Sequence, residues 1–438
     1  MIVRELRRGK ICGPGVLLAL LISVSVSARG YGGDLSARVD TSGYVVVSGR
    51  VINSEKGEPV MFASVFIKGT HIGTVSNSEG RFLLKVPKRY LQRDIGFSSM
   101  GYRTLFVPAE KMSGRKNIIR LVPDVIPLAP VVIEKLNPLV LLREFRRRIK
   151  ENYGKEAAMM TAFYRESVKK RNKYLSVGEA VLDIYKAPYA GYEGDRVRIY
   201  KGRKAEYVTK EDTLMMKLQG GPATMVLLDL VKNPGDILAP GSLDYYDFMM
   251  GGEVMIDGRK TYVIRFDQKD SVRVPLYKGI LYLDKETFAL AAAEFSLSPK
   301  QLDKAAQYMI IRKPADLTVD VLGASYLVKY RREAKRWMLN YVRVETRFRC
   351  KWEKKVFRST YAITSEAAIT DVDFRNVTKP RFRETAKRRD IFIEEMSAFS
   401  DREFWGENNV IRPEESIEAA IRKISRKLKR RTKRREDL

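Results

Sequence analysis

Histidine is almost absent from this chain of 438 residues, which contains a single one, His71. A His-Glu-x-x-His motif and any site that needs two imidazole ligands are therefore excluded, and a zinc carboxypeptidase with them. His71 lies in the turn between Gly69 and Gly73, where the sequence predicts an exposed loop histidine. As a general base it would need a nearby serine or Cys350, and nothing in the sequence places either beside it.

Motifs for nucleotide binding and acyl transfer are also missing. The chain has no Gly-x-x-x-x-Gly-Lys-Ser/Thr phosphate loop, no Gly-x-Ser-x-Gly nucleophile elbow and no Gly-x-Gly-x-x-Gly at the start of a helix. The Gly-Gly-Pro sequence at 220–222 predicts a turn, and the adjacent glutamates at 394–395 and 414–415 are expected on the surface or beside a helix dipole. We predict no catalytic, cofactor-binding or metal-binding residue. A glycosidase whose two carboxylates meet only in the fold stays open.

Cysteines and long apolar runs are scarce as well. After the N-terminal region no apolar stretch approaches the roughly 20 residues of a membrane-spanning helix. Residues 1–28 combine four basic residues among the first ten, an apolar run at 16–22 and small residues at 23–28, which is the pattern of a signal peptide. Its removal would take away Cys12, leave Cys350 alone and rule out an intrachain disulfide. A retained anchor is the alternative.

Acidic residues are heavily outnumbered, since 82 Lys and Arg compare with 53 Asp and Glu, a formal net charge of +29. The region 422–435 carries 10 basic residues in 14 positions and no acidic one. These are Arg422, Lys423, Arg426, Lys427, Lys429, Arg430, Arg431, Lys433, Arg434 and Arg435. They belong to a helix predicted to start at Pro413, whose apolar stripe is Ile417, Ile421, Ile424 and Leu428.

This basic helix has two interpretations. A cationic amphipathic helix can contact an anionic membrane or lipopolysaccharide, at roughly 1 kcal/mol per basic residue near the surface. Nucleic acid is the other anionic partner, but the predicted export argues against it. Alternatively, the apolar stripe docks on the protein and the basic side chains only face water.

Residues 45–122 consist of short apolar runs separated by Gly, Asn, Ser and Pro, after a flexible lead-in at 29–44. The predicted strands are 47–52, 63–67, 73–75, 82–86, 94–98, 102–107 and 117–121. Seven strands in about 75 residues predict a small β-sandwich.

Eleven landmark positions of this stretch match a known pattern. They are Gly49, Val51, Pro59, Ala63, Val65, Gly69, Thr70, Gly80, Phe82, Gly101 and Tyr102. With them the stretch resembles the carboxypeptidase regulatory-like domain, a transthyretin-like sandwich of exported proteins in Bacteroidetes-type bacteria. The resemblance implies an accessory module without catalytic residues. The family's usual Asp before Gly-x-Phe is Asn77 here, so no cation-holding role is expected at that turn.

The remainder predicts three further segments in a mainly β chain. The four prolines of 123–138 indicate an extended linker, because each proline fixes φ and removes a hydrogen-bond donor. Alternating apolar and polar residues over 139–373 predict a larger antiparallel β domain, curved or a half-barrel, with a leading helix at 139–153 and an inserted helix at 299–309. Residues 374–438 form a charged extension that ends in the basic helix.

The second region also carries resemblances. Segments such as 162–167 and 279–297 resemble the C-terminal region of uncharacterised carboxypeptidase-regulatory-like proteins of the same bacteria. The pattern of a sheet with an inserted helix is similar to the unclosed barrels of outer-membrane lipoprotein carriers, which implies an apolar groove for a lipid chain.

We therefore expect a non-catalytic exported protein of the cell envelope, periplasmic or associated with the outer membrane. The sandwich would be an accessory module, and the larger β domain would hold a lipid, glycan or protein partner. The alternative is an envelope hydrolase that acts on a polymer. A polar cleft with convergent carboxylates would favour the hydrolase, and an apolar cavity between sheet and helix would favour a lipid carrier.

Overall fold

The computed structural model describes residues 43–114, 116–124, 136–171, 173–206, 221–310, 313–354, 356–387, 390, 392–398 and 404–436. The predicted signal peptide, the lead-in up to residue 42 and linker residues 125–135 lie outside these ranges.

The N-terminal module has the seven predicted strands. They are β1 (Tyr44–Asn53), β2 (Ser64–Ile67), β3 (Gly73–Val75), β4 (Arg81–Pro87), β5 (Asp94–Ser98), β6 (Leu105–Pro108) and β7 (Lys116–Leu121). One sheet has the order β4-β1-β7 and the other β3-β2-β5-β6. Strand β4 alternates between half-buried and buried positions, so Phe82, Leu84 and Val86 enter the core. The β-sandwich prediction is confirmed.

A second, much larger sheet follows. Its strands are β8 (Ala158–Lys170), β9 (Lys173–Lys186), β10 (Arg196–Glu206), β11 (Tyr246–Ile256), β12 (Arg259–Gln268), β13 (Tyr277–Asp284), β14 (Leu290–Leu297), β15 (Leu317–Glu333), β16 (Arg336–Trp352), β17 (Ser359–Asp373) and β18 (Ser397–Ala398). Their order is β11-β12-β13-β14-β15-β16-β17-β8-β9-β10-β18, and only the short β18 pairs in parallel. The sheet is not closed into a barrel, which confirms the predicted antiparallel open architecture.

Six helices accompany the sheet in the described part of the chain. They are α1 (Pro138–Arg147), α2 (Ile149–Asn152), α3 (Pro222–Leu227), α4 (Gly235–Leu238), α5 (Ala305–Met309) and α6 (Glu415–Glu436). The predicted leading helix is divided at Arg148, which leaves helical geometry (φ −92°, ψ 5°). The predicted inserted helix begins as a 3₁₀ turn over Pro299–Lys304, capped by Ser298, and continues as α5.

Strand β11 and helices α3 and α4 were missed by sequence reasoning. In β11 the pairing register with β12 shifts between Met250 and Glu253, where two glycines stand. This bulge interrupts the alternation of apolar and polar residues, and the alternation is the signal that identifies a strand. Helices α3 and α4 have only six and four residues, too few for a periodic pattern.

Candidate binding cleft

The large sheet has two differently covered faces. On one, the helix face, Tyr164 and Leu182 belong to a core with Leu142 of α1, Met225 of α3 and Ile237 of α4. The described part of this face is thus packed by the protein's own helices. The opposite face, the sandwich face, carries a cluster that joins the sheet to the N-terminal module and the C-terminal extension. Its buried members are Val75, Phe163, Val181, Tyr341, Ala368, Trp405, Val410 and Ile411.

A row of charged residues crosses the sandwich face. Neighbouring strands pair in register so that one residue from each of nine strands faces the next. The row consists of Arg265, Ile280, Glu294, Leu327, Arg343, Glu366, Arg165, Glu179 and Arg203. We call it the charge ladder, since arginine and glutamate alternate along it with two aliphatic residues interposed. Opposite charges on directly paired residues stabilise a sheet.

One half of the charge ladder surrounds Arg165, which is buried together with Glu179 and Glu366. The Arg165 guanidinium donates to Glu179 Oε1 at 2.9 Å and to Glu366 Oε1 at 3.0 Å. Arg203 binds the other oxygen of Glu179 at 3.0 Å, and Tyr341 donates to Glu366 Oε2 at 2.8 Å. Although burial opposes the charged form, the two glutamates raise the pKa of Arg165 above its usual range.

The C-terminal extension crosses this half of the ladder as a segment we call the strap, residues 409–414. Thr74 donates to the carbonyl of Val410 at 3.0 Å and Asn77 to that of Arg412 at 3.0 Å. The carbonyl between them, that of Ile411, accepts from Arg165 Nη2 at 2.6 Å. Successive carbonyls therefore point alternately to the sandwich and to the sheet, as they do in an extended chain.

A cleft of about 810 Å³ lies between the sandwich and the sheet beside the strap. It is bounded on one side by Phe62, whose carbonyl accepts from Lys329 Nζ at 2.8 Å. On the other side the Gly101 amide donates to the carbonyl of Met255 in β11 at 2.9 Å. Loops 59–62 and 99–102 of the sandwich form one wall of the cleft, and strands β12 to β16 form the other.

Both charge signs and apolar surface meet in this cleft. The charged lining residues are Arg265, Lys278, Lys329, Arg343, Asp267, Glu294 and Glu345. The apolar ones include Val60, Met61, Phe62, Met100, Ile280 and Leu327. Such a surface suits a ligand that has dipolar groups as well as apolar ones.

The charges of the cleft influence one another. Burial lowers the pKa of Lys329, while the nearby Asp257 and Glu294 act in the opposite direction. Burial raises the pKa of Glu294, and the positive charge of Lys329 partly offsets this rise. One carboxylate oxygen of Asp267 is buried and has no hydrogen-bond partner among the residues that the structure describes. That oxygen can accept a hydrogen bond from a ligand.

Phe62 makes the corner of the cleft rigid. Its backbone has φ of +54°, a region that residues other than glycine rarely adopt. Its ring stacks on Tyr341 with centroids 5.6 Å apart, and the Arg343 guanidinium lies 4.9 Å from the ring centroid. Strained backbone of this kind persists where the surrounding contacts over-determine it, and it is common at binding sites.

A second buried ion cluster lies elsewhere, and one of its members, Asp195, also lines a separate cavity of about 530 Å³. Lys186 Nζ is 2.6 Å from both Asp195 and Asp229, and all three side chains are at most 3% exposed. Tyr330 donates to Asp229 at 2.8 Å. Burial works against the charge of Lys186, but Asp229 and Asp195 outweigh it and raise its pKa. This cluster fixes the segment around Asp229 against β9 and is structural.

The predicted basic helix is present as α6, and part of its apolar stripe is docked. Ile417 and Ile424 are both 4% exposed, and the Tyr174 hydroxyl of β9 lies 3.4 Å from that of Ser416. Arg422, Lys423 and Arg426 are exposed. The side chains beyond Arg426 lie outside the described part of the molecule. They include Leu428 and seven of the ten predicted contact residues.

Two sequence expectations need correction. His71 is half-buried rather than exposed, because its ring packs against Phe374 with centroids 5.5 Å apart at the junction of sandwich and sheet. Burial, assisted by Arg331, lowers its pKa, although Asp371 acts to raise it. For Glu414 only the surface alternative is wrong, because it is 9% exposed and Ser78 donates to it at 3.0 Å; the alternative beside the helix dipole agrees with its position directly before α6.

The other chemically reactive groups do not form a site. Burial raises the pKa of Cys350 to about 12, so its thiol stays protonated and unreactive. Among the described residues no group of His, Cys, Asp and Glu side chains could hold a metal ion. No helix in the described ranges has the length and apolarity to cross a bilayer.

The cleft residues were not singled out from the sequence. A charged residue inside an apolar strand was the available signal, as with Arg165 in 162–168 and Glu366 in 365–370. Such residues are almost never buried without a partner, so each one indicates a neighbour of opposite charge. The sequence does not reveal which strand supplies that neighbour.

Comparison with known proteins identifies the N-terminal module. Residues 47–133 match the family model of the CarboxypepD_reg-like domain. The resemblance noted in the sequence is thereby confirmed for this module. None of the curated proteins compared with the chain matches it.

Solved structures match part of this chain at low identity. A putative outer membrane lipoprotein-sorting protein domain from Vibrio parahaemolyticus is 11% identical, with a TM-score of 0.26 over 56% of this chain and 95% of that one. A LolA superfamily protein from Nitrosomonas europaea is 11% identical, with a TM-score of 0.22 over 56% of this chain and 98% of that one. A DUF1329 family protein from Desulfovibrio piger is 12% identical, with a TM-score of 0.24 over 55% and 94%.

Proposed function

We propose that this is a non-catalytic binding protein of the cell envelope whose ligand occupies the cleft between the sandwich and the large sheet. The observation that carries the proposal is the combination of paired charges and apolar side chains around a cavity of about 810 Å³. The CarboxypepD_reg-like module forms one wall and positions loops 59–62 and 99–102. Export from the cytoplasm, with residues 1–28 as signal peptide, belongs to the same proposal.

The charges of the cleft are arranged for binding rather than for hydrolysis. Asp267 lies 3.7 Å from Lys300, Glu345 lies 3.8 Å from Arg343, and Glu294 is under the influence of Lys329. Each of these carboxylates therefore has a cationic neighbour that attracts it electrostatically. Paired charges can instead recognise the dipolar groups of a ligand.

One observation favours the hydrolase alternative. Glu294 has a raised pKa, as a general acid requires, and it shares the cleft with two further carboxylates. If the protein were a hydrolase of this kind, Glu294→Gln would abolish product release from an envelope polymer. If it is a binding protein, Glu294→Gln binds the ligand with an affinity within a few-fold of that of the unmodified protein, and neither protein releases product.

Ligand binding in the cleft is testable by thermal unfolding with a panel of probes. The panel consists of a short-chain phosphatidylglycerol, an N-acetylglucosamine tetramer and a peptide mixture from digested envelope proteins. We expect one probe to raise the melting temperature of the full chain. Lys278→Glu should weaken that binding about tenfold, because the exposed Lys278 lines the cleft.

The matched control is Lys351→Glu, since Lys351 is an exposed lysine on a strand of the same sheet and does not line the cleft. This control should bind as the unmodified protein does. If Lys278→Glu and Lys351→Glu weaken binding equally, or if neither weakens it, the proposed location of the site is contradicted.

We also propose that the end of α6 contacts anionic phospholipid or lipopolysaccharide. The docked residues Ile417 and Ile424 hold the start of the helix on the protein, while Arg422, Lys423 and Arg426 stay exposed. The basic residues that follow are Lys427, Lys429, Arg430, Arg431, Lys433, Arg434 and Arg435. In this proposal, these basic residues supply the attraction to the anionic surface.

Truncation after Arg426 should reduce cosedimentation with vesicles containing phosphatidylglycerol by more than tenfold at low salt, because seven basic residues are lost. Binding of the full chain should fall as salt rises, since the attraction is electrostatic. Vesicles of phosphatidylcholine alone are the control. Equal sedimentation of the truncated and full chains would rule out the contact.

A further inference from the structure

The charge ladder already binds one extended peptide, the strap. Arg165 donates to the main-chain carbonyl of Ile411, while the side chains of Val410 and Ile411 are 8% and 0% exposed. Asn409 adds a two-point contact, accepting from the Lys85 amide at 2.6 Å and donating to the Lys85 carbonyl at 3.4 Å. In this half, Arg165 donates a hydrogen bond to the backbone of the strap, and apolar side chains of the strap fill the gap between the sandwich and the sheet.

The open half of the ladder offers the same chemistry without a strap segment across it. From Arg343 the row continues through Leu327, Glu294 and Ile280 to Arg265, and all five residues line the cleft. Arg343 joins the two halves, since it lies in the cleft and also donates to Glu366 at 3.4 Å, the same carboxylate that Arg165 binds. The cleft is thus continuous with the surface that holds the strap.

We propose that the cleft binds an extended peptide with apolar side chains. Main-chain carbonyls of the peptide accept hydrogen bonds from Arg265, Lys278 and Arg343, as the strap accepts from Arg165. Apolar side chains of the peptide pack against Met61 and Leu327. This inference rests on the proposed function, because it names the ligand class for the same cleft.

The lining favours a peptide over the other ligand classes named above. A lipid chain needs continuous apolar walls, whereas seven charged side chains line this cleft. A glycan offers hydroxyl groups to the charges but no alkyl side chains to Met61, Met100 and Leu327. An extended peptide presents carbonyls and side chains in regular alternation, which matches the alternation along the ladder.

The test uses linear decapeptides selected from a random library on the full-length protein. We expect their affinity, measured by fluorescence anisotropy, to fall about tenfold with Met61→Asp. Met61 is 54% exposed, so the substitution leaves the fold intact. Ile118→Asp is the matched control, because Ile118 is 63% exposed on the same sandwich, outside the cleft, and should not change the affinity. Head-to-tail cyclic forms of the peptides should bind at least tenfold more weakly, since the two turns of a ten-residue ring leave only short extended segments.

Several outcomes would overturn the inference. One is a selected peptide that binds Met61→Asp and Lys278→Glu as tightly as the unmodified protein. Another is equal binding of linear and cyclic forms. If no linear peptide binds, while the phospholipid or the glycan binds with sensitivity to Lys278→Glu, the peptide inference fails and the proposed function stands. If no probe binds with sensitivity to the cleft variants, both fail.

Discussion

Replacing Arg165 with methionine should lower the free energy of unfolding by roughly 3–5 kcal/mol. Arg165 is 2% exposed and lies between Glu179 and Glu366, which are themselves 2% and 4% exposed. Without the guanidinium, the buried carboxylates of Glu179 and Glu366 lose the positive charge that lies between them. The strap also loses its hydrogen bond through Ile411, so the contact between the extension and the sheet weakens.

Urea unfolding measures this loss, with Arg198→Met as control. Arg198 pairs with Asp183 at 2.6 Å on the same sheet, but its side chain is 44% exposed. The control should therefore cost less than about 1 kcal/mol. A triple variant that adds Glu179→Gln and Glu366→Gln should regain part of the stability, because it removes two buried negative charges that have each lost one of their cationic partners. A loss below 1 kcal/mol for Arg165→Met would contradict the buried network.

Lys186→Met should be comparably destabilising at pH 7, at roughly 3–5 kcal/mol, and its cost should depend on pH. The ammonium lies 2.6 Å from both Asp195 and Asp229 in a fully buried position. Burial already raises the pKa of Asp195, even though Lys186 opposes the rise. In the variant that opposition is gone, so the pKa of Asp195 rises further above that of the unfolded chain.

The sign of the pH dependence follows from that rise. In the variant the folded state binds protons more tightly than the unfolded state, so its stability increases as the pH falls from 7 toward about 4. The unmodified protein keeps the contribution of Lys186 at all pH values below the unfolded lysine pKa near 10 and loses it only above that. Urea unfolding at pH 7 and pH 5 measures the difference between the two proteins. If the difference is as large at pH 5 as at pH 7, the buried carboxylates are not its cause.

Most strands were predictable because each carries its signal locally. In the sandwich, apolar alternation and turn residues mark all seven strands, and the observed ends differ from the predicted ones by a few residues at most. The long strands β15 and β16 alternate in the same way. Strand β11 was missed because its glycine bulge breaks the alternation.

The cleft could not be predicted, because it depends on contacts between distant parts of the chain. Lys329 and Phe62 are 267 residues apart, and Arg165 and Ile411 are 246 apart. Periodicity indicates which side chains of a strand share a face, but it does not identify the element that covers that face. The strap illustrates this, since the position of Glu414 beside a helix start does not reveal that Ser78 of the sandwich packs against its carboxylate.

In the proposed function, the ligand binds between the sandwich and the large sheet. Hydrogen–deuterium exchange of the full chain, with and without a bound probe, tests it most directly. We predict that binding slows exchange in loops 59–62 and 99–102, which form the sandwich wall of the cleft. Slowing confined to α3 and α4, on the helix face, with both loops unchanged, would contradict the claim.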